Sequence, residues 1–162
     1  MKPGIEEVLA RFGPALRRVA GSYERIPARR EELTQEIALA LFRSLPRLRD
    51  ERKLVPFVFR IAHNVGVNHV IVAERESKAR DAAALDRRQA PVTPEDAVAR
   101  SDEAARLNDA IRALPTPYRQ VMVLALEDLS YAEIAEALSI SPSNVGVRIA
   151  RAKVMLKKAL TS

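Results

Sequence analysis

The sequence predicts an all-α protein, built as two small helical domains joined by a linker. Ala, Leu, Arg and Glu dominate its 162 residues, and all four are tolerated well inside helices. Apolar residues recur at spacings of three and four, and no stretch alternates apolar with polar as a half-buried strand would. Charge is segmented. Residues 1–75 hold 14 basic and 9 acidic side chains, a net +5. Residues 76–104 hold 5 and 7, a net −2, and residues 105–162 hold 8 and 5, a net +3. An acidic stretch between two basic ones argues for two units rather than one.

The first unit reads as three helices. Ile5 to Ser22 carries Val8, Leu9, Phe12, Leu16, Val19 and Ala20 at helical spacing, with Gly13 and Pro14 as a candidate kink. Glu31 to Leu45 repeats Leu33, Ile37 and Leu41 every fourth residue, and Pro46 ends it. Pro46 to Lys53 is a charged connector. Leu54 to Glu74 follows, with Phe57, Ile61 and Val65 expected on its buried stripe and Arg60, Asn64 and Asn68 on the opposite face. Residues 76–104 contain Pro91 and Pro94 and show no bulky periodic face before Val98, which marks the linker.

The second unit begins near Asp102. One helix runs to Leu114 and stops at Pro115-Thr116-Pro117, and the next spans Tyr118 to Leu126. Ser130 and Glu133 have the spacing of a capping box, with Leu129 and Ile134 placed as a hydrophobic staple. The helix Tyr131 to Leu138 buries Ile134, Ala135 and Leu138, and Ser139 to Ser141 form a tight turn. Ser141 can cap the last helix, and Pro142 sits at its first position, where a missing N–H costs nothing. Val145, Ile149, Ala152 and Leu156 form its buried stripe, while Asn144, Arg148 and Arg151 share the exposed face. Residues 138–162 carry five basic side chains and no acid. Two capped helices on a short turn, the second polar and basic, follow the helix-turn-helix plan, whose second helix enters the major groove. Arg pairs with guanine there and Asn with adenine. A helical hairpin inside a bundle is the competing interpretation of the same pattern.

Other chemistries find little support. The chain has no cysteine, which excludes disulfides, thiolate metal sites and cysteine nucleophiles. His63 and His69 are six residues apart, which places them about 120° apart on a helix, so they do not converge on a metal. No glycine-rich phosphate loop and no nucleophile–base pair can be read. The expectation is a protein that is not an enzyme and needs no cofactor or metal. Lys2, Glu6 and Glu7 near the start do not fit a secretory signal, and no run of about 18 apolar residues occurs. A cytoplasmic protein without a membrane partner is expected.

The segment Tyr131-Ala-Glu-Ile-Ala-Glu-Ala-Leu-Ser-Ile-Ser-Pro-Ser-Asn-Val-Gly-Val-Arg-Ile-Ala-Arg-Ala-Lys, with the lead-in Leu114-Pro115 to Tyr118-Arg119, resembles region 4 of bacterial sigma factors. Glu31-Glu32-Leu33-Thr34-Gln35-Glu36 followed by Leu41-Phe42 resembles the acidic helix of region 2, and Phe57 to Asn64 through Asn68-His69 resembles its promoter-melting helix. Both regions occur in the family's order with no region 3 between them, the layout of the extracytoplasmic-function group of the sigma-70 family. This resemblance implies a region 2-like domain at 1–75, a linker at 76–104 and a region 4-like domain at 105–162. It implies binding to RNA polymerase core, at the clamp helices through Glu31, Glu32, Gln35 and Glu36, and also at the flap of the large subunits. It implies promoter contact near the −10 element by Phe57, Arg60, Asn64 and Asn68. At the −35 element it implies contact by Ser143, Asn144, Arg148, Arg151, Lys153 and Lys157. An anti-sigma factor is a further candidate partner. Three positions depart from the family: Phe57 lies where Trp is usual, Val70-Ile71-Val72-Ala73 replaces a basic run, and Gly146-Val147 stands where Lys and Ser are common. An autonomous helix-turn-helix regulator is the alternative function. It would bind its DNA without polymerase.

Overall fold

The computed structural model describes residues 3–83 and 103–161. They form seven α-helices and, among the described residues, no strand. The first group is α1 (Ile5–Tyr23), α2 (Pro27–Ser44) and α3 (Leu54–Ala83). Two short 3₁₀ turns, Leu45–Arg47 and Glu51–Lys53, join α2 to α3, and Asp50 caps the second by accepting from the Arg52 N–H. The second group is α4 (Glu103–Ala113), α5 (Thr116–Leu126), α6 (Tyr131–Leu138) and α7 (Pro142–Thr161).

In the first group each helix packs on the other two. The four-residue repeat of α2 gives Leu33, Ile37 and Leu41, all fully buried, each contributing about 1.5–3 kcal/mol of hydrophobic stabilisation. They face Val8, Leu16 and Val19 of α1 and Val58 of α3 in one core, which Phe12 and Phe59 extend with edge-to-face rings 5.9 Å apart. Pro14 does not end α1. It lies exposed in mid-helix, on the side where water can take over the backbone bond it removes. α2 starts at Pro27, four residues before the expected Glu31, because Pro27 sits at the first helical position.

α3 differs from expectation in two ways. It continues nine residues past Glu74, so 76–83 of the expected linker are helical, and the rest of that stretch lies outside the described residues. Its buried face is also rotated. Val58, Phe59, Ala62 and His63 are buried, while Phe57, Ile61 and Val65 are half-buried. The reason is that α1 and α2 flank α3 on two sides, so its core face is wider than one stripe. By length and composition the span Glu51–Asp81 is apolar enough to cross a membrane, yet its first half supplies core contacts.

In the second group α4, α5 and α6 all pack on α7. Val145, Ile149, Ala152 and Leu156 of α7 are buried with Ile134, Val121 and Leu124. The two groups also meet: α6 lies on α3, and α4 and α5 touch α1.

Candidate nucleic-acid interface

Local signals build the helix pair α6–α7. The Ser130 hydroxyl accepts from the Glu133 N–H at 3.1 Å, and the Glu133 carboxylate accepts from the Ser130 N–H at 2.9 Å, closing the capping box. Ser139 ends α6 in the left-handed region at φ 56°, which turns the chain sharply. The Ser141 hydroxyl then accepts from the Asn144 N–H at 3.1 Å and starts α7 at Pro142. With the buried stripe of α7 fixed against α6, Ser143, Asn144, Arg151, Lys153 and Lys157 are exposed and Arg148 is half-buried. Val147, 45% exposed, stands among them. The exposed face is thus polar and basic, with Val147 and, two turns on, the 57% exposed Val154 as apolar contact points, a surface suited to base edges and phosphates.

On α2 the four expected residues Glu31, Glu32, Gln35 and Glu36 are all exposed. The same face continues into Leu39 and Phe42, which are 48% and 59% exposed. That apolar extension was not expected from the sequence. The signal for it is positional: 39 and 42–43 continue the 32–35–36 face by one and two turns.

On α3, Arg60, Asn64 and Asn68 lie exposed on one face, with Phe57 half-buried beside it. They do not form one open surface. The Arg60 guanidinium donates to the carbonyl of Ala137 at 3.3 Å and to that of Glu136, at the C-terminal end of α6. Those carbonyls lie in the last turn of α6, at the negative end of the helix dipole, and the Glu136 carbonyl also accepts from the Ser139 N–H at 3.4 Å. Lys53 pairs with the Glu136 carboxylate at 3.1 Å. Asn64 lines a cleft of about 160 Å³ between the groups, with Gln120, Leu138 and Ser139. Asn68 is not part of that cleft.

The two histidines have structural partners. His63 is fully buried, and its Nδ1 shares a 2.6 Å hydrogen bond with the Tyr23 hydroxyl. Burial, helped by the nearby Arg119 charge, lowers its pKa to about 3, so it is neutral. Burial likewise pushes the Tyr23 hydroxyl well above its ordinary value. Arg119 of α5 stacks 5.2 Å from the Tyr23 ring and donates to the carbonyls of Arg112 and Leu114. His69 Nε2 lies 3.0 Å from the Glu24 carboxylate, joining α3 to the end of α1. Among the described residues no three His, Cys, Asp or Glu side chains gather as a metal site.

Comparison with known proteins assigns both groups. The sigma-70 region 2 model matches residues 8–75, and the sigma-70 region 4 model matches residues 104–156. The chain is 30% identical over 166 residues to the ECF RNA polymerase sigma factor SigD of Mycobacterium tuberculosis, covering 98% of this chain and 77% of that protein. The chain belongs to the sigma-70 family, in its extracytoplasmic-function group. The ECF RNA polymerase sigma-E factor of Haemophilus influenzae is 29% identical over 154 residues, covering 88% and 82% of the two chains. Among solved structures, CnrH in complex with the cytosolic domain of CnrY superposes with a TM-score of 0.69 at 26% identity, covering 97% and 87%. RpoE of Bartonella quintana, solved with the anti-sigma factor NepR, gives 0.75 at 19% identity over 96% of each chain, a likeness of fold. In this sigma factor region 2 therefore comprises α1, α2 and most of α3, and region 4 comprises α4 to α7. The contacts of Arg60 and Lys53 with α6 run between the two regions.

Proposed function

We propose that this sigma factor binds RNA polymerase core and directs it to specific promoters, through two units at 1–75 and 105–162 joined by 76–104. It acts in the cytoplasm and performs no catalytic step of its own. The observation that carries this reading is the face of α7: exposed Ser143, Asn144, Arg151, Lys153 and Lys157 opposite a fully packed stripe, in the helix that follows a capped turn. Asn144 and Arg148, in the first two turns, read base edges of the −35 element. Arg151, Lys153 and Lys157 hold phosphates, because later residues of a recognition helix rise toward the backbone. Glu31, Glu32, Gln35 and Glu36, extended by Leu39 and Phe42, form the surface for the clamp helices of core: carboxylates supply charge complementarity and the two apolar side chains supply buried area. Region 4 meets the flap. Phe57, Arg60, Asn64 and Asn68 serve the −10 element, where an unpaired base stacks on an aromatic ring for about 1–3 kcal/mol. An anti-sigma factor fits as a regulator, in line with the NepR complex of the Bartonella quintana relative.

The test is run-off transcription from genomic DNA with purified core polymerase. Discrete transcripts that need both core and this chain support the reading. A specific promoter footprint by the chain alone, with no core-dependent transcript, would instead identify an autonomous regulator.

A further inference from the structure

We infer that Val147 is a sequence-reading residue of α7: it packs against the C5-methyl group of a thymine on the floor of the major groove, so the −35 element of this sigma factor carries a thymine at the step Val147 meets. The inference rests on the −35 reading of α7 and deepens it by naming a base.

The position of Val147 follows from the packing of its helix. Val145 and Ile149 are buried, and at about 100° per residue Val147 lies about 160° round the axis from each. It therefore points straight away from the core, and it is 45% exposed. Ser143, Ala150 and Val154, also exposed, fall within about 60° of the same line. Together they form a ridge without a charge. Basic residues stand on both sides of it: Arg148 and Arg151 on one flank, with Asn144 beside them, and Lys153 and Lys157 on the other. The helix contains no acidic residue.

The major groove has the matching cross-section, a floor of base edges between two phosphate walls, about 12 Å wide. An uncharged ridge between basic flanks puts small side chains on the floor and cations against the walls. On that floor an apolar side chain has one apolar partner, the thymine methyl, because the other bases present hydrogen-bond donors and acceptors. Val147 is in the second turn of α7, within the part of a recognition helix that meets base edges. Val154 lies about 10 Å further along the axis, where the helix rises toward the backbone. Valine is short, so the contact needs the helix deep in the groove. Its neighbours Ser143, Gly146 and Ala150 are small enough to allow that. Nothing inside the protein calls for glycine at 146. Its φ is not positive, and a Cβ there would meet only the Tyr131 ring, at an ordinary 3.5 Å. Glycine weakens a helix, so the gain from the missing side chain lies outside the chain, in close approach to DNA.

The experiment uses core polymerase with this chain, on the promoter found by run-off transcription. Each thymine of the −35 element, on either strand, is replaced singly by uracil, which lacks only the C5-methyl group. Uracil at one position should weaken binding by the parent holoenzyme about fourfold, the worth of one buried methylene. Val147→Ala should bind the thymine promoter about fourfold more weakly than the parent and show no further loss with uracil at that position. The variant removes exposed side-chain atoms and keeps a good helix former, so its circular dichroism should match the parent. Val154→Ala should keep the full uracil penalty. Three results overturn the assignment: no uracil weakens the parent, Val147→Ala keeps the penalty, or the penalty disappears in Val154→Ala instead. In each of these the core-dependent transcript persists, so the −35 reading of α7 survives. If core with this chain yields no specific transcript, that reading falls and the assignment of Val147 falls with it.

Discussion

Replacing Gly66 by alanine tests how region 2 holds the angle between α1 and α3. A Cβ at this position would lie 2.4, 2.6 and 2.9 Å from Cδ2, Cε2 and Cγ of Tyr23. Ordinary carbon contacts are about 3.5–4.0 Å, so the ring must retreat by about 1 Å. It has nowhere to go: its hydroxyl is bonded to His63, Arg119 covers it, and it is 7% exposed. Overpacking costs about 1–3 kcal/mol. If the ring tilts, the buried His63 loses the bond at Nδ1, and its Nε2 already has no partner, which adds about 1–3 kcal/mol. Alanine returns about 1 kcal/mol of helix propensity. The net loss centres on about 3 kcal/mol, a large share of the ~5–15 kcal/mol typical of a domain. Gly146→Ala is the control. Its Cβ would meet only Tyr131, at 3.5 Å, and no glycine has positive φ, so it should gain up to about 1 kcal/mol. Guanidinium denaturation followed by far-UV circular dichroism measures both. If Gly66→Ala lies within about 0.5 kcal/mol of the parent, the close packing of Tyr23 against α3 is refuted.

Three further outcomes are expected. The folded protein holds His63 near pKa 3, below the ordinary ~6.5, so the unfolded chain binds the extra proton. Stability is full above about pH 6.5 and falls as pH drops, by at most ~1.4 kcal/mol per unit, and His63→Gln should flatten that slope in pH-dependent denaturation. Glu32→Lys with Glu36→Lys, and separately Phe42→Ser, should each weaken core binding in a fluorescence titration while leaving the circular dichroism unchanged. Unaltered core affinity in both would remove the exposed face of α2 from the mechanism. Arg148→Ala should relax preference at one −35 position at a cost of about 1–3 kcal/mol, whereas Lys157→Ala should weaken all sequences alike and reduce the salt dependence by roughly one counterion. A uniform loss in Arg148→Ala would reverse the assigned orientation of α7.

What the sequence revealed tracks how local each determinant is. The ends of α6 and the start of α7 were legible because Ser130, Glu133, Ser141 and Pro142 act within three residues of the backbone groups they satisfy. The α2 core was legible because Leu33, Ile37 and Leu41 keep one strict spacing. The buried face of α3 was harder: Phe57, Ile61 and Val65 form as good a stripe as Val58, Ala62 and His63, and only the placement of α1 and α2 decides between them. No pattern shows that Gly66 makes room for Tyr23, 43 positions earlier. Arg60 was read from its own helix as facing solvent, which it does, but its bonds to residues 76 and 77 positions away depend on tertiary geometry alone.

The contacts between the two regions gain a particular weight from covalent linkage. Nineteen residues separate Ala83 from Glu103, and at full stretch they reach roughly 70 Å. Region 4 therefore never leaves the neighbourhood of region 2, and each sees the other at an effective concentration of millimolar order. Bonds too weak to hold two free proteins together suffice to keep a tethered pair closed. For the same reason, a partner that holds both regions through that tether gains avidity, and its affinity for the whole chain exceeds its affinity for either half.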